Sequence, residues 1–513
     1  MPTQSKTPMY DSLDAAFAKI HRYEHLAALA HWDQASMMPA GGNGARSEAL
    51  AEIQVLIHSA TCAPTVLSAV RAAASEPLSE FQQASLREIA RATTMASALP
   101  ESLVEAKSLA GSRCEHAWRS QRPRNDWAGF LENFKPVVAA SRQEADILSQ
   151  AFGVGRYDAL MGKYEPGMLS SDIDSIFGAV KQWLPASIAA AMERQASENV
   201  SAPRGPFPAA SQKELASKVM ALLGFDFQRG RLDSSTHPFC GGVPEDVRIT
   251  TAYRESDFSF SLMGVIHETG HARYEQGLPA GSLHLPVGRA RSMGIHESQS
   301  LSFEMQLGSH PGFLRVLSPM LVEAFGPDVA FEPENLARLY TRVNPTLLRL
   351  EADELTYPAH IILRYEIERD LINGAIEPED IPALWDEKMS KYLGLDSRGN
   401  HKDGAMQDIH WTDGSFGYFP SYTLGAMSAA QFFNAARIAQ PDLDARIAQG
   451  DCSQLFSWLG ENVWSQASQW ETPDLMRRAT GEALNPEHFR QHLERRYLGM
   501  EPSAFRKPQR PAP

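Results

Sequence analysis

Apolar residues recur at spacings of three and four along most of this chain, and this helical period constrains the fold more than any other feature of the sequence. A helix is predicted from Ser171 to Ser197, and no repeat recurs at a fixed period, which argues against a solenoid. The faces that show the period best are Tyr10, Leu13, Phe17, Ile20 and Tyr23 near the start, then Phe134, Val137, Val138 and Leu148. The pattern predicts an all-α fold.

One segment, Asp246–Tyr253, alternates instead of following the helical period. Val247, Ile249 and Tyr253 fall on one side, and polar residues fall on the other. Strict alternation is the signature of a half-buried strand. The sequence therefore predicts a short strand in a helical protein, about a dozen residues before the motif described below.

The breaks between helical stretches are rich in proline, glycine and serine, which favour loops. Predicted loops are Met38–Ser47, Ser201–Ser211 and Gly277–Gly288. A long polar stretch from Gly394 to Tyr422 is predicted to be irregular, and long irregular segments in compact domains are often functional. We expect one domain over residues 1–501, followed by a disordered proline-rich tail, Pro502–Pro513.

Charge and composition exclude several classes of protein. The chain carries 48 basic and 62 acidic residues, a net charge of −14, and no basic stripe, which argues against a nucleic-acid partner. The longest nearly apolar run, Phe258–Ile266, is too short to cross a bilayer, and the N-terminus does not resemble a secretory signal. The four cysteines lie far apart, without a C-x-x-C pair. We expect a cytoplasmic protein without a membrane partner.

The most specific motif is His267-Glu268-x-x-His271, an H-E-x-x-H within a helical run from Phe258 to Gln276. Side chains at positions i and i+4 share one helix face, so both imidazoles can reach one metal ion. Glu268 would lie beside them, where it can accept a proton from an attacking water. The alternative is a pair of solvent-facing histidines on an amphipathic helix.

A catalytic zinc requires a third protein ligand. The metzincin pattern would put a histidine at position 277, where this chain has glycine. Glu297 lies thirty residues after His267, in a second predicted helix from Gly294 to Leu307. His296 is the competing ligand, but adjacent helical residues point about 100° apart, so only one can face the ion. We choose Glu297, which fits the gluzincin arrangement of two histidines and one glutamate.

With these residues in place, the chain resembles the carboxypeptidase Taq family of thermostable metallocarboxypeptidases. The resemblance rests on several motifs in one order along the chain, extending to about Gly425. They are His237-Pro238-Phe239, Asp246-x-Arg248-x-Thr250, His267-Glu268-x-x-His271, His296-Glu297-Ser298-Gln299, Arg349-x-x-Ala352-Asp353 and Gly404-x-x-Gln407-Asp408-x-His410-Trp411.

The resemblance implies an elongated helical body around a deep groove, with a few short strands, a fold shared with neurolysin and angiotensin-converting enzyme. It also implies a homodimer that removes single residues from peptides with a free C-terminus, with broad specificity. Zinc is the implied cofactor, and cobalt is expected to substitute for it.

Three further residues are candidates for catalysis. The tetrahedral oxyanion formed during peptide hydrolysis needs hydrogen-bond donors, for which His410 and Tyr418 are the candidates. Tyr418 resembles the transition-state tyrosine of the angiotensin-converting enzyme group, and Tyr422 is the alternative. These aromatic residues could instead simply pack a long loop.

Recognition of a C-terminal carboxylate favours arginine, because its forked donors match the two oxygens. Arg349 and Arg248 are the motif candidates. Arg349 could instead form a helical ion pair with Asp353, and Arg248 could pair with Asp246 or Glu255. By resemblance, the strand that carries Arg248 would lie beside the substrate as an extra edge.

His237 could line the groove or cap a turn. A carboxylate behind the metal ligands is expected from Glu304 or Asp353. Three other functions compete with a carboxypeptidase: an oligopeptidase that uses the same site, a zinc aminopeptidase, and a metal-binding protein that has lost catalysis. A thiol peptidase that uses Cys240 has no supporting motif.

Overall fold

Helices dominate the fold in the computed structural model, which describes residues 5–500, and 68% of the structure is helical. The all-α prediction with a few short strands is confirmed. The first ten helices are α1 (Pro8–Ser36), α2 (Asn43–Thr61), α3 (Pro64–Ala73), α4 (Glu80–Ala98), α5 (Glu101–Gln121), α6 (Trp127–Phe152), α7 (Arg156–Met161), α8 (Ser170–Gln195), α9 (Ala209–Leu222) and α10 (Phe258–Gly277). The next are α11 (Met293–Leu301), α12 (Pro311–Phe325), α13 (Pro333–Tyr340), α14 (Tyr357–Asn373), α15 (Ile381–Leu393), α16 (Pro420–Ala439), α17 (Leu443–Ile447), α18 (Ser453–Asn462), α19 (Thr472–Thr480) and α20 (Pro486–Leu493).

Three short strands form one small sheet between α9 and α10. They are β1 (Gly230–Ser234), β2 (Phe239–Val243) and β3 (Asp246–Thr251), in the order β1-β3-β2. β1 runs parallel to β3, and β2 runs antiparallel to it. The predicted strand is therefore present as β3. Its predicted role as an edge beside the substrate is wrong, because β3 is paired on both sides and the free edges belong to β1 and β2.

Helix α16 joins the two large hydrophobic cores of the molecule. One core packs its Leu424, Met427 and Ala430 with residues of α6, α8, α14 and α15. The other core packs Phe432 and Phe433 with residues of α9, α10, α12 and α18. Because the helix is buried on almost every face, its position is set by both cores. It runs beside α11, the helix that carries Glu297.

Most predicted boundaries agree with the structure to within a few residues. The helix predicted from Ser171 to Ser197 is α8. The stretch from Gly394 is irregular until α16 begins at Pro420, apart from a short 3-10 turn, Ile409–Trp411. The predicted loop Met38–Ser47 is wrong at its end, because α2 begins at Asn43 despite the glycines. The predicted tail, Pro502–Pro513, lies outside the described residues.

One stretch within residues 5–500, Ala40–Ala73, is long and apolar enough to cross a membrane by length and composition alone. Its most apolar window has a mean hydropathy of 1.4, and only 17% of that window is buried. The stretch contains α2 and α3, which both pack against α1. Helices of soluble proteins also pass this test, so the absence of a membrane partner stays a prediction.

Helices α10 and α11 approach each other through a glycine. A methyl group added at Gly270 would lie 2.5 Å from the Gln299 carbonyl oxygen and 2.6 Å from Ser300 Cα. Both neighbours are backbone atoms of α11, so they could not yield without moving the helix. The glycine in the H-E-x-x-H motif thus sets the distance between the helices that carry the candidate metal ligands.

We predict that Gly270→Ala lowers the free energy of unfolding by roughly 1–3 kcal/mol, the usual effect of overpacking, and weakens zinc binding. Chemical denaturation and chelator competition measure the two effects. Gly264→Ala on the same helix is the control, because its new methyl group would be 3.7 Å from the nearest atom, on Pro238. That change should leave stability equal or raise it by up to about 1 kcal/mol. Equal effects of the two substitutions would contradict the prediction.

Candidate metal centre and active site

Two helices bring the three predicted metal ligands together. His267 and His271 lie one turn apart on α10, and Glu297 lies on α11. His267 Nε2 is 3.9 Å from one Glu297 oxygen, and His271 Nε2 is 3.6 Å from the other. Two donors that share one ion at about 2 Å each lie roughly 3–4 Å apart. The nitrogen and oxygen donors therefore fit one zinc-sized ion.

Local sequence signals place these helices. The carboxylate of Asp257 caps the first turn of α10 by accepting the N–H of Ser259, and the Ser292 hydroxyl caps α11 by accepting the N–H of Ile295. Buried Glu165 accepts hydrogen bonds from the Gly294 N–H and, at 2.6 Å, from the Ser421 hydroxyl of α16. A negative charge at this position also favours the positive end of the α11 dipole.

Each histidine is oriented by a partner on its second ring nitrogen. A carboxylate oxygen of Glu304 lies 2.7 Å from His267 Nδ1, and the His296 carbonyl oxygen lies 3.1 Å from His271 Nδ1. Of the two carboxylates that the sequence offered, Glu304 takes this position. Asp353 instead accepts the backbone N–H groups of Leu355 and Thr356, just before α14.

Glu304 lies where the second helix changes its winding. After α11 the backbone continues as a π-helical segment, Ser302–Gly308, which contains Glu304. Segments of π-helix occur frequently at functional sites. The sequence predicted one regular helix to Leu307, so the change in winding is a feature of the structure that the helical period did not reveal.

His296, the alternative ligand, points away from the donor group. Its Nδ1 lies 2.6 Å from His271 Nδ1, on the side of that ring opposite the donor Nε2. Its Nε2 lies 2.8 Å from a Glu275 oxygen. His296 thus supports His271 from behind, and the group that could hold an ion comprises His267, His271 and Glu297.

The pKa values of the two candidate histidine ligands shift in opposite directions. Burial opposes charging of His267, but its hydrogen bond to the Glu304 carboxylate and the charges of Glu297 and Glu268 raise its pKa to about 10. Burial lowers the pKa of His271 well below its ordinary value. Metal binding at neutral pH must therefore displace a proton from His267, while His271 is already neutral.

Glu268 is suited to exchange protons near neutral pH. Only 7% of it is exposed, and burial raises its pKa to about 7 against the opposing charge of His267. The charges of the Glu297 and Glu304 carboxylates contribute to this rise. A general base works best when its pKa is close to the operating pH.

A cluster of aromatic side chains lies beside the donor group. Tyr418 and Tyr422 meet edge to face with ring centroids 5.2 Å apart, and the Tyr422 hydroxyl lies 3.2 Å from His410 Nε2. Burial, and then the charge of Glu297, raise the pKa of Tyr418 to about 12. Burial lowers the pKa of His410 to about 4. At neutral pH both phenols keep their protons and can donate.

Arg349 belongs to a buried chain of charges next to this cluster. Its Nε donates to one oxygen of Asp408 at 2.9 Å, and Arg364 donates to the other oxygen at 2.6 Å. Arg349 Nη1 also donates to the Tyr357 hydroxyl, and the guanidinium lies 5.2 Å from the centre of the Tyr422 ring. Two guanidinium groups share one carboxylate, so this cluster carries one surplus positive charge.

The alternative ion pair between Arg349 and Asp353 is wrong. The segment Arg349–Glu351 is a short 3-10 turn, so the i, i+4 geometry of an α-helix does not apply. Asp353 accepts the backbone N–H groups of Asn344, Leu355 and Thr356 instead. Arg349 therefore takes its carboxylate partner from a distant segment of the chain.

The structure does not bring Arg248 to the donor group. Its guanidinium pairs with Asp246 at 2.6 Å and lies 4.7 Å from the centre of the Trp32 ring of α1. These contacts fit the structural alternative. His237 is exposed in the turn between β1 and β2, and its carbonyl accepts a hydrogen bond from the Ser235 hydroxyl. That contact fits a residue that stabilises the turn.

Cys240 lies on β2, close enough to Glu268 and Glu275 for their charges to act on it. Burial first, and then these carboxylates, raise the pKa of its thiol well above the ordinary value. A protonated thiol is a poor nucleophile. The position therefore argues against a thiol peptidase.

Sequence reasoning did not single out Arg364, Tyr357 or Gly425. Arg364 is completely buried in the apolar part of α14. A charged residue among apolar ones could have marked it in the sequence as a candidate for a buried ion pair. Tyr357 belongs to no recognised motif. A methyl group added at Gly425 would lie 2.7 Å from Glu297 Cβ. The absence of a side chain at Gly425 therefore lets Glu297, the third candidate ligand, pack against α16.

Comparison with known proteins agrees with this geometry. The family description "Carboxypeptidase Taq (M32) metallopeptidase" matches residues 12–497. The chain belongs to the carboxypeptidase Taq (M32) metallopeptidase family. Its members are metallocarboxypeptidases, and so peptide hydrolases, as the sequence predicted.

Individual relatives cover almost the whole chain. Thermostable carboxypeptidase 1 of Thermus thermophilus is 37% identical over 491 residues, which cover 93% of this chain and 95% of the relative. Among solved structures, Trypanosoma cruzi metallocarboxypeptidase 1 is 46% identical with a TM-score of 0.94, covering 96% and 99% of the two chains. The M32 carboxypeptidase of Deinococcus radiodurans is 31% identical with a TM-score of 0.89, at the same coverage.

We predict that Glu304→Gln weakens zinc binding by roughly 10- to 100-fold, because it removes the charged partner of a ligating histidine. Competition with a chromophoric chelator measures the affinity. Glu323→Gln is the control, since Glu323 pairs with Lys218 at the surface. An unchanged affinity in Glu304→Gln would show that His267 does not depend on this partner.

Proposed function

We propose that the protein is a zinc-dependent carboxypeptidase that removes single residues from the C-termini of peptides with broad specificity. The observation that carries the proposal is the pairing of two features. First, a His-His-Glu donor group lies beside a buried carboxylate, Glu268. Second, the buried guanidinium of Arg349, which carries the surplus charge, is close enough to the donor group for its charge to lower the pKa of Glu297. Hydrolysis needs the first feature, and recognition of a free C-terminus needs the second.

Zinc is the metal that the donor set favours. Two imidazoles and one carboxylate are a common catalytic zinc set, with one position left for water or substrate. Zinc bound at such a site lowers the pKa of water to about 7 and polarises a carbonyl as a Lewis acid. His267, His271 and Glu297 would hold it, and cobalt is expected to substitute for it.

Glu268 is the proposed general base and acid. It would accept the proton of the attacking water and later deliver that proton to the leaving amine. Its pKa of about 7 allows it both to accept and to donate a proton near neutral pH. A carboxylate that is buried but not a ligand has no evident structural purpose here, which argues against a purely metal-binding protein.

Tyr418, Tyr422 and His410 are the proposed donors to the developing oxyanion. Neutral phenol O–H groups aimed at a site of developing charge stabilise it without prior loss of a proton. Tyr418 is the first choice, because the charge of Glu297 reaches its hydroxyl. Tyr422 is held by His410 at 3.2 Å, so these two residues would act as a pair.

Arg349 is the proposed anchor of the substrate carboxylate. Asp408 and Tyr357 occupy its Nε and Nη1, and an arginine carries five N–H donors. The net charge of the Arg349–Asp408–Arg364 cluster is positive, so a peptide carboxylate would bring it to zero. Arg248 and His237 are weaker candidates, given their contacts elsewhere.

We further propose a homodimer in the cytoplasm, without nucleic-acid or membrane partners. The four cysteines, which are all free thiols, fit a reducing compartment. The acidic net charge argues against a nucleic-acid partner, and the resemblance to the family supports the dimer. Size-exclusion chromatography with light scattering reports the oligomeric state directly.

We predict that the zinc and cobalt forms shorten a free peptide and its N-acetylated version stepwise from the C-terminus. Amidation of the C-terminus should abolish the reaction, because the substrate then has no carboxylate to pair with Arg349. Glu268→Gln should abolish it as well, by removing the base. Mass spectrometry of the products reads all four results.

The same panel distinguishes the competing functions. Internal cuts in the amidated peptide would establish an oligopeptidase in place of the proposed activity. Loss of residues from the N-terminus of the free peptide, blocked by acetylation, would establish an aminopeptidase. A zinc-loaded protein that cleaves none of the peptides would be a metal-binding protein.

A second prediction tests the anchor. Arg349→Gln should lower kcat/KM on free peptides by roughly 10- to 100-fold, the value of a charged hydrogen bond of about 1.5–3 kcal/mol. Arg248→Gln is the matched control, because Asp246 and Trp32 hold that arginine elsewhere. If Arg248→Gln lowered kcat/KM and Arg349→Gln did not, the anchor would be misassigned.

A further inference from the structure

A cavity of about 300 Å³ lies between α8, α11, α16 and α19. This size is at the lower end of the range for small-molecule sites, which is about 300–1,000 Å³. None of the residues proposed above for metal binding or catalysis lines it. The cavity is therefore available for a ligand of its own.

The cavity lies behind the two helices that carry the active site. Ile295, on its wall, comes two positions before Glu297 on α11, and Leu424 comes two positions after Tyr422 on α16. Residues two positions apart on an α-helix point about 200° apart, onto nearly opposite faces. A ligand here would contact the rear of the helices whose front faces bear Glu297 and Tyr422.

The walls are mainly apolar, with hydroxyl groups among them. The apolar side chains include Met168, Ile176, Ile295, Leu424, Met476 and Leu484. Two buried hydroxyl residues, Ser428 of α16 and Thr472 of α19, also line the cavity. Within residues 5–500 the Thr472 hydroxyl, on a residue only 9% exposed, has no hydrogen-bond partner. Such a group is unsatisfied unless a ligand or water meets it.

Three ionisable side chains line the cavity. The carboxylate of buried Glu165 is already engaged, because it accepts hydrogen bonds from the Gly294 N–H and the Ser421 hydroxyl. The other two form a pair of opposite charge on different helices. Asp172 of α8 and Arg477 of α19 are both exposed. One carboxylate oxygen of Asp172 accepts the Leu169 N–H, and Arg477 Nη1 donates to Asp474 at 2.7 Å. Within residues 5–500, no further hydrogen bond engages the second oxygen of Asp172 or the remaining N–H donors of Arg477.

We propose that this cavity binds a free apolar α-amino acid. The apolar side chain would pack among the methionine, isoleucine and leucine walls. The ammonium group would pair with Asp172, the carboxylate with Arg477, and the Thr472 hydroxyl would hydrogen-bond the head group. A zwitterion matches the two opposite charges, whereas a simple carboxylic acid would leave Asp172 without a partner.

An apolar amino acid is also a product class of the proposed reaction, and this part of the inference rests on the proposed function. Binding to the cavity does not require turnover, so it can be measured even if peptide cleavage fails. A result on binding and a result on cleavage are thus independent of each other.

Isothermal titration calorimetry with L-leucine tests the site. The full-length Arg349→Gln variant is titrated first, so that the proposed carboxylate anchor of the active site does not contribute. We expect saturable binding in this background. Leucinamide, which lacks the carboxylate, and 4-methylpentanoate, which lacks the ammonium group, should each bind at least about tenfold more weakly. Equal binding of 4-methylpentanoate, or no saturable binding of leucine, would overturn the proposal.

Variants in the same background locate the site. Ser428→Phe, which fills the cavity, should abolish leucine binding, and Thr472→Val and Arg477→Gln should each weaken it about tenfold. Arg398→Gln is the matched control, since Arg398 forms a similar exposed ion pair with Asp396 elsewhere. Melting curves report folding, and the exposed Arg477 keeps the test decisive if Ser428→Phe does not fold. Leucine binding that survives both Ser428→Phe and Arg477→Gln would place the ligand elsewhere.

Discussion

The close contact of three helices around Glu297 is the constraint on which the rest of the site depends. Gly270 lets the backbone of α11 approach α10, and Gly425 lets Glu297 lie against α16. Because packed helices can move only together, these contacts fix the distance between imidazole and carboxylate donors that lie on different helices. The two hydrophobic cores that α16 joins then hold the arrangement rigid. Preorganised donors lower the conformational cost of binding an ion.

Buried charge is the second organising feature. A buried charge is retained only where partners compensate it. In the Arg349–Asp408–Arg364 cluster, one carboxylate compensates one of the two guanidinium charges, so one positive charge is left over. The carboxylates around the donor group have the opposite effect, since they raise the proton affinity of His267. The protein thus has a cationic cluster, the proposed anchor of a peptide carboxylate, beside an anionic group that could hold a metal ion. This separation suits a reaction at the last peptide bond of a chain.

Local rules predicted what depends on neighbouring residues, and failed where distant segments decide. The i, i+4 spacing placed His267 and His271 on one face of a helix that the structure contains, and the alternating segment became β3. Glu297 was chosen from the ligand chemistry of zinc sites with two histidines and one glutamate, because no local pattern shows which helix will pack against α10. The pairing of Arg349 with Asp408, across the fold, and the central position of β3 are tertiary facts. Neither the 3-10 turn at Arg349 nor the π-helical winding at Glu304 leaves a periodic signal in the sequence.

Anomalous diffraction at the zinc absorption edge, from crystals grown with zinc, tests the central claim most directly. The account predicts one strong peak per chain, about 2.0–2.2 Å from a ring nitrogen of His267, a ring nitrogen of His271 and a carboxylate oxygen of Glu297. A peak coordinated by His296 and Glu275, or the absence of a peak between α10 and α11, would contradict it.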